Sequence, residues 1–214
     1  MSSDVSRETP SAPPEAQGVF SDALPLAEAF ATLLATDGIV RGLIGPREVP
    51  RLWERHLLNC AVVTDAVAPG SCVCDIGSGA GLPGLVMAIR RPDLSLTLVE
   101  PLLRRTTFLE EAVASLELSN VRVVRARAEE LHGKDWFDVV TSRAVAPLDR
   151  LSRWSLPLVR TGGEFLAMKG SSAEDELASA AGVIKREHGQ ARGVLELGAP
   201  FLAPPVRLVR ILKQ

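Results

Sequence analysis

The sequence predicts an α/β fold: a doubly wound parallel sheet finished by a reversed C-terminal strand and preceded by a helical cap. Three observations carry that prediction. Residues 72–84, Cys-Val-Cys-Asp-Ile-Gly-Ser-Gly-Ala-Gly-Leu-Pro-Gly, read as a strand, a glycine-rich turn and a helix start, because glycine supplies φ > 0 and a proline suits a first helical turn. From 71 to 184 short apolar runs alternate with segments of helical period, which implies parallel strands joined by right-handed crossovers. The alternation then stops, and residues 193–197 and 206–212 are strand-like runs joined by the proline-rich segment 199–205, as in an antiparallel hairpin.

Residues 1–18, rich in Ser, Pro, Glu and Ala, are expected to be a disordered tail, with too few large apolar groups to offset ordering entropy. Residues 19–68 are expected to form the cap. Apolar residues recur at helical spacing over 24–43, and a second helix over 47–66 turns Leu52, Leu57, Leu58, Ala61 and Val62 toward a core. The remainder, 69–214, is the ligand-binding part of one structural domain. Its strands are expected at 71–75, 94–100, 121–125, 137–141, 163–168, 193–197 and 206–212, seven in all, with helices at 83–90, 104–116, 147–158 and 173–184.

The bulk properties narrow the function classes. At 214 residues and 46% hydrophobic, the chain buries one good core. Its formal net charge of −2 gives no general attraction to nucleic acid, so any RNA contact must come from a local patch. Positive charge is carried by 20 Arg against 4 Lys; this fits a GC-rich coding sequence as well as it fits guanidinium forks gripping phosphates. The three cysteines and three histidines lack disulfide or zinc spacing, so no metal is expected. There is no secretory leader pattern and no run of about eighteen apolar residues. A soluble, cytoplasmic and monomeric protein with no membrane contact is the expectation.

The glycine turn meets two cofactor patterns. Gly79-Ala80-Gly81-Leu82-Pro83-Gly84 satisfies the dinucleotide G-x-G-x-x-G fingerprint formally. Asp75 separates the two, since a carboxylate beside a helix N-terminus repels a pyrophosphate. It suits a ligand carrying an ammonium group and a sulfonium, such as S-adenosylmethionine (AdoMet), and D-x-G-x-G-x-G is the usual first motif of AdoMet-dependent methyltransferases. The reversed last strands agree with the class I, Rossmann-like methyltransferase arrangement. In such sheets ligands lie beyond the carboxyl ends of the strands. Glu100, at the end of the second strand, can accept hydrogen bonds from ribose hydroxyls. Ala128 after the third strand is small enough to admit an adenine, and Glu129 can reach its amino group. Glu130 is a neighbour for solvent or for a helix start.

Arg143, in Thr141-Ser142-Arg143-Ala144, follows the fourth strand, where such enzymes meet the methyl acceptor. There is no Asp or Asn followed by two prolines and an aromatic, as amine methylation uses. C5-pyrimidine chemistry needs a cysteine nucleophile near this edge, whereas the three cysteines lie elsewhere in the sequence, and no Lys-Asp-Lys-Glu set for ribose methylation is evident. An acceptor with its own lone pair and no proton to lose, such as guanine N7, remains, and it needs placement rather than a general base. Arg143 can orient the guanine edge, contact the methionine carboxylate, or simply form a structural ion pair. Trp53, Trp136 and Trp154 can stack a base, but two of them sit in apolar helical patterns that favour the core.

The segments Arg55-His56-Leu57-Leu58-Asn59, 75–84, Phe108-Leu109 after Arg104-Arg105, Ser142-Arg143-Ala144 and Lys169-Gly170 together resemble the bacterial small-subunit rRNA guanine-N7 methyltransferases, RsmG or GidB. The resemblance spans about residues 51–170. It implies transfer of a methyl group from AdoMet to N7 of one guanine, G527, in the 530 loop of 16S rRNA, on the small ribosomal subunit or an assembly intermediate. It places Gly77 and Leu82 against AdoMet, Ala128 and Glu129 at the adenine, and Arg143 in the cofactor site. Asp75, Gly79, Gly81 and Glu100 come from the general class I pattern. Arg51, Arg55, His56, Arg104, Arg105 and Lys169 are the candidate RNA contacts. Relatives often carry Asp-Ser where this chain has Asn59-Cys60, so an acidic role there does not transfer.

Overall fold

The computed structural model describes residues 11–214, so most of the expected tail lies outside the described residues. Within the part of that tail it does describe, the chain forms helix α1, Pro14–Phe20. Pro14 opens it, and Ala16 and Phe20 are buried. The apolar period is strong enough to dock this turn even though its surroundings are polar. Helix α2, Leu24–Leu33, follows, and it does not run on to residue 43 as expected. The helix widens into a π-type turn over Leu34–Gly38.

The second expected cap helix is likewise a series of pieces. Pro50 lies within a tight turn over Pro46–Arg51, and a wide π-type segment covers Leu52–Leu58. Only Asn59–Ala61, α3, is regular before the chain tightens again over Val62–Ala66. Proline lacks the amide that continues a helix ladder. Wide turns shift the side-chain phase, and here they bring Trp53, His56, Leu57 and Leu58 into the interior together. By length and composition 14–38 is apolar enough to cross a membrane. Here its apolar residues, including Phe30 and Leu34, pack into the core.

The sheet begins with β1, Cys72–Ile76, followed by α4, Gly84–Arg90; β2, Ser95–Val99; α5, Leu103–Ser115; and β3, Val121–Val124. Then come β4, Phe137–Arg143; α6, Leu148–Ser155; β5, Val159–Lys169; α7, Ala173–Arg186; β6, Gly189–Leu197; and β7, Val206–Lys213. The seven strands lie in the order β3-β2-β1-β4-β5-β7-β6. The first five are mutually parallel, and β7 inserts antiparallel between β5 and β6. The expected class is therefore the observed one. The strand order reverses beside β1, which places the ends of β1, β2 and β4 around one crevice.

Alternation along β1 serves two cores: Val73 joins the layer that includes the cap and α4, while Cys74 and Ile76 join the layer under α6 and α7. Trp53 is buried and meets Phe20 edge-to-face at 6.1 Å between centroids, tying α1 to the cap. Trp136 departs from the core expectation. It is 59% exposed and lines a hollow at the amino ends of the strands, away from the crevice.

Truncating Phe20 to Ala removes one half of that aromatic pair and leaves a buried void. Urea unfolding should show a loss of about 3 kcal/mol; an unchanged midpoint would show that α1 is not part of the cooperative fold.

Candidate active site

β1 ends in Asp75 and Ile76, and the chain turns through three glycines at positive φ, Gly77, Gly79 and Gly81. The turn is pinned from below. The Gly84 N–H donates to Asp75 Oδ2 at 2.9 Å, and the Ser78 hydroxyl donates to the Asp75 carbonyl at 2.9 Å. A Cβ at Gly84 would lie 2.2 Å from Leu98 Cδ2 and 2.7 Å from Asp75 Oδ2, so only glycine lets α4 start this close to β1. Asp75 is fully buried, and burial pushes its carboxyl up to about 7, against the pull of the Gly84 and Ser78 hydrogen bonds. Its second oxygen, Oδ1, has no partner.

Glu100 stands just past β2 and is 1% exposed. Its Oε2 accepts the Gly79 amide and its Oε1 the Leu102 amide, each at 3.1 Å, and Arg105 Nη1 closes on Oε2 at 3.3 Å. A carboxylate has about four acceptor sites, so capacity for a ligand hydroxyl remains. Arg105, expected at the RNA, is thus committed to the glycine turn through Glu100. After β3, Ala128 is buried and Glu130 accepts the Arg127 amide at 2.9 Å. Glu129 is exposed, and Glu130 is the one of the two acids held by the helix start.

Arg143 ends β4. One guanidinium nitrogen, Nη2, donates to His56 Nδ1, and Nη1 donates to Cys60 Sγ at 3.1 Å. With Nδ1 accepting, the imidazole proton sits on Nε2 and is donated to Glu48 Oε2 at 2.9 Å. Burial first, and then the Arg143 charge, lower the His56 pKa to about 4. Burial also raises the Cys60 thiol. His56 is therefore an enclosed group rather than an exposed RNA contact. Lys169 is also enclosed: its ammonium donates to the Ala146 carbonyl at 2.8 Å and to Glu176 at 2.7 Å. Glu176 in turn accepts the Leu148 amide, so this pair fixes the loop after β4 instead of reaching solvent.

That loop starts with Ala144 in the left-handed region, φ +54°, and lays Val145 against Gly77. A Cβ on Gly77 would come within 2.7 Å of Val145 Cγ2. Beside it opens a cleft of about 1070 Å³ between the cap and the β6–β7 connection. Arg51 and Arg55 line it, with Arg143 and Lys169 at its base. Sequence reasoning missed Phe201 and Arg207, which also line it; Phe201 belongs to the segment read only as a hairpin joint, and Arg207 to the strand that follows it. Arg104 is exposed on the first turn of α5 but does not line this cleft.

Asp75, Gly77, Gly79, Gly81, Leu82, Glu100, Ala128, Glu129 and Arg143 thus gather at one edge of the sheet. The orphaned Asp75 Oδ1 and the buried, unpaired Ser142 Oγ beside Arg143 are polar atoms of the kind a bound AdoMet would satisfy, so the residues present fit that group. Among the described residues no three His, Cys, Asp or Glu side chains converge as a metal site would require.

Sheet order, glycine turn and strand-end acids define a protein of the class I methyltransferase fold. The ribosomal protein L11 methylase of Lactobacillus delbrueckii subsp. bulgaricus has this fold (TM-score 0.56, 14% identity, 73% of this chain and 77% of that one). So does a Thermus thermophilus 16S rRNA N2 G1207 methyltransferase solved with AdoMet and guanosine (TM-score 0.51, 16% identity, 74% and 42%). Residues 23–200 match the GidB family, described as rRNA small subunit methyltransferase G, and the chain belongs to that family. A Nocardioides sp. "Ribosomal RNA small subunit methyltransferase G" is 60% identical over 99% of this chain and 85% of its own. One from Thermobifida fusca is 56% identical over 92% and 83%.

The Asp75 carboxyl links stability to pH. Its folded value of about 7 lies above the ordinary 3.8, so between about pH 4 and 7 unfolding releases a proton and the fold loses stability as pH rises. The slope from this group is at most about 1.4 kcal/mol per pH unit. Urea midpoints between pH 4.5 and 7.5 should show a flatter profile for Asp75→Asn than for the wild type; equal slopes would place the carboxyl elsewhere on the pH scale.

Proposed function

We propose that this chain transfers the methyl group of AdoMet to N7 of a guanine in 16S rRNA, G527 of the 530 loop. Family membership supports small-subunit rRNA as the substrate. One observation supports the ring nitrogen: the polar groups at the end of β4 offer no free base. The neutral imidazole of His56 accepts from Arg143 and donates to Glu48, Cys60 is pinned by Arg143 with its thiol raised, and Asp75 is sealed beneath the turn. An acceptor that must lose a proton finds no partner here, whereas guanine N7 brings a lone pair and loses nothing.

AdoMet, when bound, supplies an electrophilic methyl group on a sulfonium. The chain's own work is placement and exclusion of water. Gly77, Gly79, Gly81 and Leu82 of the turn, shaped by the buried Asp75 beneath them, would hold the methionine end. Glu100 would take the ribose, and Ala128 with Glu129 the adenine. Arg143 has five N–H donors. Two are engaged by His56 and Cys60, so others remain to orient the guanine O6 edge or the methionine carboxylate. Arg51, Arg55 and Arg207 line the cleft that leads to Arg143, among Glu54 and Glu196, and are the cations that would meet the RNA phosphates there.

Mass mapping of 16S rRNA from cells lacking the gene should show loss of 7-methylguanine in the 530 loop, restored by the wild-type gene and not by a Gly77→Asp variant. Unchanged 7-methylguanine would sink the assignment. Separately, Arg51→Ala with Arg55→Ala should weaken RNA binding and reduce the slope of log K against log salt by up to about 1.4, since each single-strand phosphate no longer neutralised lowers it by about 0.7. A salt slope identical to the wild type would remove these two side chains from the RNA interface.

A further inference from the structure

We propose that His56 and Cys60, both carried by the N-terminal cap, are positioning residues that set the orientation of Arg143 for methyl transfer. The inference rests on the role given to Arg143 above. β4 fixes only the backbone of Arg143, and the next residue, Ala144, turns away at positive φ. The sheet therefore leaves a long, flexible side chain undirected at the reacting edge. Direction comes from residues 87 and 83 positions earlier in sequence, His56 through Nδ1 and Cys60 through Sγ.

Both partners sit where the cap departs from regular helix. The wide segment Leu52–Leu58 turns His56 inward, and α3 places Cys60 beside it, fully buried. His56 is held in turn by Glu48, which also takes Arg55 at 3.2 Å. The path runs from the cleft wall, through Glu48 and His56, to the guanidinium. On the other side, Lys169 and Glu176 hold the backbone of the loop that follows. Arg143 is thus directed by its side chain from the cap, while the loop after it is held by its backbone from β5 and α7.

A purely structural His56 would add stability and nothing else, and substitution separates the two roles. In His56→Asn the amide oxygen stands near the place of Nδ1 and still accepts from Arg143, whereas His56→Leu removes the acceptor; both lose the Glu48 hydrogen bond. Methylation of small-subunit RNA by the full-length protein should fall at least about ten-fold in kcat for His56→Leu, since small misplacements at a reacting centre are costly. His56→Asn should recover most of that loss while its Tm falls as far as that of His56→Leu. In an Arg143→Met background, His56→Leu should cause no further loss, because a group acting through Arg143 has nothing left to position. Equal activity losses in the two His56 variants, following Tm, would overturn positioning, and so would losses that multiply with Arg143→Met. If Arg143→Met retains full kcat, the role of Arg143 itself falls, an outcome distinct from those two.

Discussion

Everything at the reacting edge depends on one buried hydrogen bond, from the Gly84 amide to Asp75 Oδ2. It draws the first turn of α4 onto the end of β1, and the intervening residues then have no route but a tight loop of left-handed glycines. That loop presents the Gly79 amide to Glu100, which aligns the second strand end with the first. The consequence is a carboxyl sealed from water, with one oxygen unpaired and its pKa pushed up to about 7. Buried polar groups are usually satisfied, and the exception here stands directly under the turn that the cofactor is proposed to occupy.

The second constraint comes from outside the sheet. A Rossmann-like sheet supplies strand ends, but it does not direct the long side chains that project from them. Here the cap does so, and its irregularity is the reason it can. A regular helix over 47–66 would repeat its inward face every 3.6 residues. The turn at Pro46–Arg51 and the wide segment after it shift that phase, so that His56 and Cys60 reach Arg143 while Arg51 and Arg55 stay on the cleft wall. One short stretch of chain therefore serves both the reacting edge and the cleft.

The charge distribution follows the same logic. Much of the positive charge expected at the RNA is already engaged: Arg105 by Glu100, Lys169 by Glu176, and Arg143 by His56 and Cys60. On the cleft walls Arg55 is half-exposed and paired with Glu48, Arg207 is paired with Glu174 and Glu196, and Arg51 and Phe201 stand beside them. An acidic protein can then meet a polyanion locally without binding it everywhere.

The class of fold and the candidate cofactor edge were legible in the chain alone, because both rest on short-range rules. Period, glycine spacing and the loss of a helix between the last two strands act within a few residues, and Asp75, Gly77 and Glu100 could be found from their places at strand ends. The hairpin was legible as well, although the insertion of β7 between β5 and β6 was not. What the charged residues do became visible only in three dimensions. Arg105 and His56 read as cationic or RNA-facing from their neighbours in sequence, yet their partners lie at Glu100 and at Arg143, brought close by the sheet and the cap. Whether a side chain is a free charge or a buried link is set by desolvation and by partners up to 87 positions away, and no local pattern encodes those.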